Sequence, residues 1–328
     1  MKAIVYERYG SPEVLRYADV ERPTSPGTGE VLVRVHTASL NFGDRAAMRG
    51  EPHAIRLAMG LRRPRATVLG RAIAGTVEAV GPGVTTFQPG DDVFGEVNQR
   101  GFAEYTVVKE KHLAAKPAEV SFEQAATLPV AANTALRGLR LGEVGPGTRL
   151  LVNGASGGVG TFAVQLAKAL GAHVTATCGG RNADLVRSIG ADTVVDYTTA
   201  DVTLGEPRFD VVFDLVGDKP LAAMRRVIAP KGMYISSFGK GSKVFGPMGR
   251  LIGMMVRAPF VSQRLRPLVA TAKGDELAEL GAMVADGTID PVIERSCPLS
   301  ETADAIRFIE EHHAQGKFVL TVTDAGKW

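Results

Sequence analysis

The chain has 328 residues, of which 45% are hydrophobic and 22% charged, with a formal net charge of +3. That balance excludes a disordered or membrane-embedded chain, the length suits about two domains, and so small a charge leaves no footprint for a polyanionic partner. Two cysteines, Cys178 and Cys297, exclude a disulfide framework.

From the N-terminus, short runs rich in β-branched residues predict strands over 2–6, 30–38, 75–80, 92–97 and 103–108. Between them lie Gly/Pro turns: PGTGE before Val31, GPG at 81–83 and QPGDDV at 88–93. The densest basic stretch, Arg56, Arg62, Arg63, Arg65 and Arg71, lacks interleaved aromatics and reads as a solvated loop rather than a nucleic-acid patch. From about Ala125 the pattern changes. Strand-like RLLVN (149–153), HVTAT (173–177), TVVDY (193–197), FDVVFDLVG (209–217) and GMYISSFG (232–239) alternate with helices from Val159, over 183–189 and over 221–228. Alternating β and α elements predict a doubly wound parallel sheet. The apolar 244–261 segment is interrupted by Arg250, Arg257, prolines and glycines, so a partly buried helix or flap is expected, not a membrane span. An amphipathic helix over 302–312 and a strand over 318–322 close the chain. The opening MKAIVYERYG holds no apolar stretch of signal-peptide length, and a cytoplasmic protein is expected.

The strongest local signal is RLLVNGASGGVGTFAVQLAKALGA. A strand runs into a glycine-rich turn and then a helix, the context in which small residues let a backbone approach a pyrophosphate at a helix N-terminus. The turn residues Ala155, Ser156, Gly157, Gly158, Val159 and Gly160 are therefore expected to bind a dinucleotide, although Ala155 takes the place of the first glycine of GxGxxG. About 20 residues beyond such a turn, NAD-binding units carry an acid for the ribose 2′-hydroxyl. Here the stretch reads TCGGRN, with Gly180 and Arg181 and no acid. Arg181 is either a surface charge or a partner for a 2′-phosphate, and NADP(H) is the favoured cofactor.

These features, with SLNFGDRAAMRG (39–50), VLGRAIAGTVEAVGPGV (68–84), FQPGDDVFG (87–95), FAEY (102–105), LPVAANTAL (128–136), IGAD (189–192) and GKFVL (316–320), resemble the medium-chain dehydrogenase/reductases over nearly the whole chain. Within that family the chain resembles the zinc-free quinone oxidoreductase and enoyl reductase branch. The resemblance implies an α/β fold: a β-rich GroES-like lobe from residues 1–120 and 263–328, a Rossmann domain over 121–262, and an active site in the cleft between them. It implies that Asn41 and Asp44 line the nicotinamide end, with Val130 and Thr134 below the ring. Tyr197 would lie near the adenosine, and Leu215, Val216, Phe238 and Gly239 along the cofactor. Lys317 and Val319 would approach from the returning strand. A homodimer through the edge of the Rossmann sheet is implied as well.

Zinc-dependent relatives supply an early Cys ligand, a later His and a four-cysteine loop. This chain has Ser39–Asn41 and Arg71 in those regions and no Cys-x-x-Cys, so no metal site is expected. Without a Lewis acid, simple ketones are poor acceptors. Quinones and α,β-unsaturated carbonyls delocalise the incoming charge onto an oxygen that hydrogen-bond donors can stabilise. The proton donor is open: His53 stands where related enoyl reductases carry a Tyr, and it is either that donor or an exposed loop residue. Ala72 departs from relatives that have an Asp there. The expected function is metal-free, NADPH-dependent reduction of a quinone or enone. The alternative is a non-catalytic NADPH-binding sensor or a partner- or RNA-binding protein.

Overall fold

The computed structural model describes residues 1–204, 206, 208–237, 248–312 and 314–322. They divide into two compact units: 1–51, 55–133 and 271 onward form the first, and 52–54 with 134–270 the second. The first boundary thus falls after Asn133 rather than after residue 120. Ser121 and Gln124 close a reciprocal capping box, each side chain accepting the other's backbone N–H at 3.1 Å, and so start helix Phe122–Thr127. That helix packs on the strands of the first unit, which draws 121–133 away from the nucleotide-binding unit.

The first unit is built on a mostly antiparallel sheet. Its main path runs Ile293–Pro298, Lys317–Thr321, Glu30–Ser39, Ala72–Val80, Asp92–Glu96 and Leu113–Ala115, with Tyr105–Lys109 also pairing Glu30–Ser39. Expected strands recur within a few residues, but Ile293–Pro298 and the helices Phe42–Arg49 and Gly274–Ala285 carried no sequence expectation. The core gathers residues from both ends of the chain, including Ile4, Tyr6, Val33, Met48, Ile73, Phe102, Ile306 and Phe318. Strand Lys317–Thr321 enters antiparallel to Glu30–Ser39, in a register that sets Val319 opposite Ser39.

The second unit is a six-stranded sheet, parallel throughout, in the order Thr193–Asp196, His173–Cys178, Arg149–Asn153, Phe209–Asp214, Ile228–Ser236, Arg264–Pro267. Chain order reverses between Arg149–Asn153 and Phe209–Asp214, and ligands bind outside the carboxyl ends of the strands at such a switch point. The near-continuous burial of Leu150–Asn153 and Val211–Asp214 fits strands covered on both faces. The helix expected over 221–228 stops at Arg226, because Ile228 already belongs to the next strand. In the 244–261 segment, helix Met248–Arg257 buries Met254 yet leaves Ile252, Met255 and Val256 exposed. Among the described residues, no helix is long and apolar enough to cross a membrane.

Candidate functional site

In the second unit the glycine turn lies at the switch point. Gly154 adopts a φ of +92°, a conformation that favours glycine. A Cβ on Gly160 would collide with the Gly154 carbonyl oxygen, so close packing of turn and helix demands glycine there. Gly157 caps helix Gly158–Ala169 in an extended conformation, and a Cβ there would meet nothing nearer than 3.6 Å. Ala155 is fully buried beneath the turn, while Ser156 accepts a hydrogen bond from Asn182 Nδ2 at 3.0 Å. The result is an open backbone cradle at the N-terminus of a 12-residue helix, which fits a pyrophosphate.

The neighbouring strand ends supply the other expected contacts. Gly180 and Arg181 form the short 3-10 turn after His173–Cys178, with Arg181 exposed. Half-exposed Tyr197 follows the next strand, its Oη 3.2 Å from where a Cβ of Gly179 would stand. Leu215 donates its N–H to Asn153 O at 3.1 Å, and a Val216 methyl packs over Gly154. Phe238 and Gly239 lie outside the described residues.

Two features here escaped sequence reasoning. Asp214, fully buried, accepts hydrogen bonds from Asn153 Nδ2 (2.8 Å), Tyr234 Oη (2.5 Å), Arg250 (2.8 Å) and the N–H groups of Val216 and Gly217. Asn153 in turn accepts from Thr177 Oγ1 at 2.6 Å, and Thr177 accepts from Gly154 N–H at 3.1 Å. One carboxylate thereby ties three strand ends, helix Met248–Arg257 and the glycine turn into a single network. Its signal in the sequence is a polar residue closing each of three buried strands: Asn153, Thr177 and Asp214. The second feature is Asp196. Parallel pairing sets it beside Cys178, and its carboxylate faces Gly180 so closely that a Cβ there would clash. The TCGGRN turn is therefore acid-free in sequence but not in space. Hydrogen bonds from Thr198, backbone first, hold the Asp196 carboxyl below its usual range.

The first unit assembles a second cluster around the start of helix Phe42–Arg49. Asn41 is its N-cap, and the Asn41 N–H donates to Asp44 Oδ2 at 2.8 Å. Asn41 Nδ2 donates to Ser39 O at 2.8 Å, while Asn41 Oδ1 accepts from Lys317 Nζ at 2.6 Å. Lys317 also donates to Leu40 O at 2.6 Å. Asp44 is wholly buried, and among the described residues its Oδ1 has no hydrogen-bond partner. Burial pushes its pKa up to about 6, against the opposing pull of Arg71, the Asn41 N–H and Lys317. Burial likewise pushes Lys317 down to about 7, opposed by the Asp44 carboxylate. Arg71 pairs with Glu96, whose other oxygen accepts the Ala272 N–H at 2.8 Å.

The remaining expected residues occupy several elements. Lys317, expected against the cofactor, is 3% exposed and turns its amine to Asn41 and Leu40. Val319 is fully buried in the same strand. Val130 lies half-buried in the π-turn Leu128–Ala132, a local widening often found at functional sites, and Thr134 is the second residue of the helix Asn133–Leu141 that follows. His53 is exposed in the 3-10 turn His53–Ile55. Ala72 is fully buried, opposite both Ser39 and Glu96. Among the described residues, no three His, Cys, Asp or Glu side chains gather as a metal site.

Residues 27–118 match the model described as "Alcohol dehydrogenase GroES-like domain", and residues 189–320 the one described as "Zinc-binding dehydrogenase". The chain is 35% identical to the chloroplastic quinone-oxidoreductase QR1 of Triphysaria versicolor, covering 98% of each protein. It is 33% identical to the chloroplastic NADPH-dependent alkenal/one oxidoreductase of Arabidopsis thaliana, covering 98% of this chain and 79% of that protein. Among solved structures, Escherichia coli quinone oxidoreductase complexed with NADPH superposes with a TM-score of 0.84 at 26% identity, covering 98% of this chain and all (100%) of the other. With a GroES-like region, a switch-point glycine turn and relatives matched from end to end, the chain belongs to the medium-chain dehydrogenase/reductases, in their quinone oxidoreductase-like branch.

Proposed function

We propose that the protein is an NADPH-dependent reductase that delivers hydride to a quinone or an α,β-unsaturated carbonyl without a metal. The observation that carries this reading is the open turn 154–160 at the switch point, with Arg181 on the next strand end. NADPH held there supplies the hydride. The turn N–H groups would take the pyrophosphate and Arg181 the 2′-phosphate. Tyr197 and Val216 would flank the adenosine and the dinucleotide. Asp196 favours the competing reading, NADH, since a carboxylate beside Gly180 is placed to accept a ribose hydroxyl.

On the acceptor side the reading assigns Asn41 as hydrogen-bond donor to the oxygen that gains charge. A proton from solvent or from exposed His53 completes the quinol or the saturated carbonyl. The metal-free reading is supported by the side chains themselves: an amide and a guanidinium, Asn41 and Arg71, stand in the regions where zinc-dependent relatives carry ligands. Cytoplasmic residence and a homodimer belong to the same reading. Burial pushes both cysteine thiols up, away from reactivity, and the exposed apolar face around Met255 and Phe260 offers a subunit contact.

The test is NADPH consumption with a panel of quinones and enones, in the presence and absence of chelator, with product analysis and a parallel NADH series. Chelator-insensitive turnover with NADPH preferred is the expected result. Tight NADPH binding without turnover on any acceptor would favour a non-catalytic sensor.

A further inference from the structure

Lys317 poses a physical question that the family reading leaves unanswered. A buried ammonium loses its hydration, and such groups are found paired with a carboxylate. Lys317 donates to two neutral oxygens, Leu40 O and Asn41 Oδ1, while the Asp44 carboxylate acts on it through space. A stitch between two strands needs no cation, because the backbone already joins Lys317–Thr321 to Glu30–Ser39.

The chemistry of the amide indicates what the lysine accomplishes. A side-chain amide has one accepting end and one donating end, and its orientation is assigned from its partners. In its charged form Lys317 Nζ can only donate, and the end of Asn41 facing it is oxygen. A carbonyl cannot donate, so the end facing Ser39 O must be nitrogen. The two constraints agree, and the flipped amide would lose both bonds. One Nδ2 hydrogen is taken by Ser39 O, which leaves the second for another acceptor. Asn41 as a whole is half-buried.

We propose that Lys317 is a positioning residue: it locks the Asn41 amide so that an N–H, rather than a carbonyl oxygen, is presented to the electron-rich oxygen of the acceptor. This rests on the reductase reading above for the identity of that oxygen, while the lock itself does not. Without the lysine, only the Ser39 bond opposes a flip, and a flipped amide would set oxygen against developing negative charge.

The test compares K317M, N41A and the double variant with the wild-type protein. K317M is expected to lower kcat about tenfold, the scale of one lost hydrogen bond, with the KM for NADPH unchanged. In the N41A background the same change is expected to have no further effect, because Lys317 acts through Asn41. An equal loss in both backgrounds would reduce Lys317 to a stabilising residue and overturn the proposal. A second arm needs no turnover. In protein labelled with 15N-asparagine, the Asn41 side-chain proton held by Ser39 O is expected to exchange slowly with solvent, and K317M is expected to shift the Asn41 signals and speed that exchange. Unchanged signals would overturn the lock, whether or not any acceptor is reduced. Absent turnover with the predicted amide response would count against the reductase reading alone. Should K317M fail to fold, N41D keeps a partner for Lys317 while deleting the donor. It is expected to lose as much kcat as N41A, and retained activity would refute the assignment.

Discussion

The two functional regions are built on opposite principles. The glycine turn is made largely of backbone: seven consecutive residues, 154–160, four of them glycines that leave open the space a pyrophosphate requires. The Asn41 cluster is made of side chains, and its partners lie as far as 277 residues apart in sequence. The first kind of site is robust to what surrounds it and fragile to any added atom. The second tolerates no loss of a partner, since each buried polar group depends on the others.

The comparison breaks most readily at Asp214, where side chains support the backbone site. Asp214→Ala would strand the half-buried Arg250 and the buried Tyr234, and a loss of about 3–5 kcal/mol in unfolding free energy is expected. Denaturant unfolding measures it, and a loss below 1 kcal/mol would mean that the turn stands without its carboxylate. Gly160→Ala comes next. The added methyl meets the Gly154 carbonyl, so about 1–3 kcal/mol of overpacking is expected, together with weaker NADPH binding by calorimetry. Unaltered affinity would remove the turn from the cofactor site. Arg181→Ala should raise the KM for NADPH about tenfold and leave that for NADH unchanged, the signature of a lost charge-assisted bond to the 2′-phosphate. Equal effects on both cofactors would make Arg181 a general surface charge.

The smallest effects concern pH. Asp44 has its pKa raised from 3.8 to about 6, so its contribution to stability is full below the unfolded value and is lost as pH rises through the folded one. Lys317 is lowered from 10.5 to about 7, so its contribution is full above 10.5 and is lost as pH falls toward 7. Wild-type stability should therefore carry a falling component between pH 4 and 6 and a rising one between pH 7 and 10. Asp44→Asn should remove the first and K317M the second, as read from unfolding midpoints at stepped pH. Variants with the wild-type slope would show that these groups do not carry the dependence.

Much of this was legible before any coordinates. Alternating strand and helix patterns placed the parallel sheet, and the turn was visible because it is contiguous and its chemistry is local. What stayed hidden depends on distance. Asp196 is fifteen residues beyond Arg181 in sequence, and only parallel pairing brings it to Gly180. Lys317 could be placed on a returning strand, but not the direction of its amine, which the Val319–Ser39 register decides. The boundary at Asn133 was missed because the capping box at Ser121 starts a helix that belongs to the sheet before it, not to the one after.

The interleaving of the chain has a consequence for synthesis. The second unit is almost wholly one continuous stretch, 134–270, and the ribosome releases all of it before the strand Lys317–Thr321 exists. Domains generally fold as units during translation, and long-range pairings close late. The nucleotide-binding unit can therefore mature while the first unit still waits with Glu30–Ser39 missing a neighbour. The last strand to arrive carries Lys317, so the Asn41 corner is set only when the chain is nearly finished. A nascent chain completes its glycine turn first and its Asn41 corner at the end.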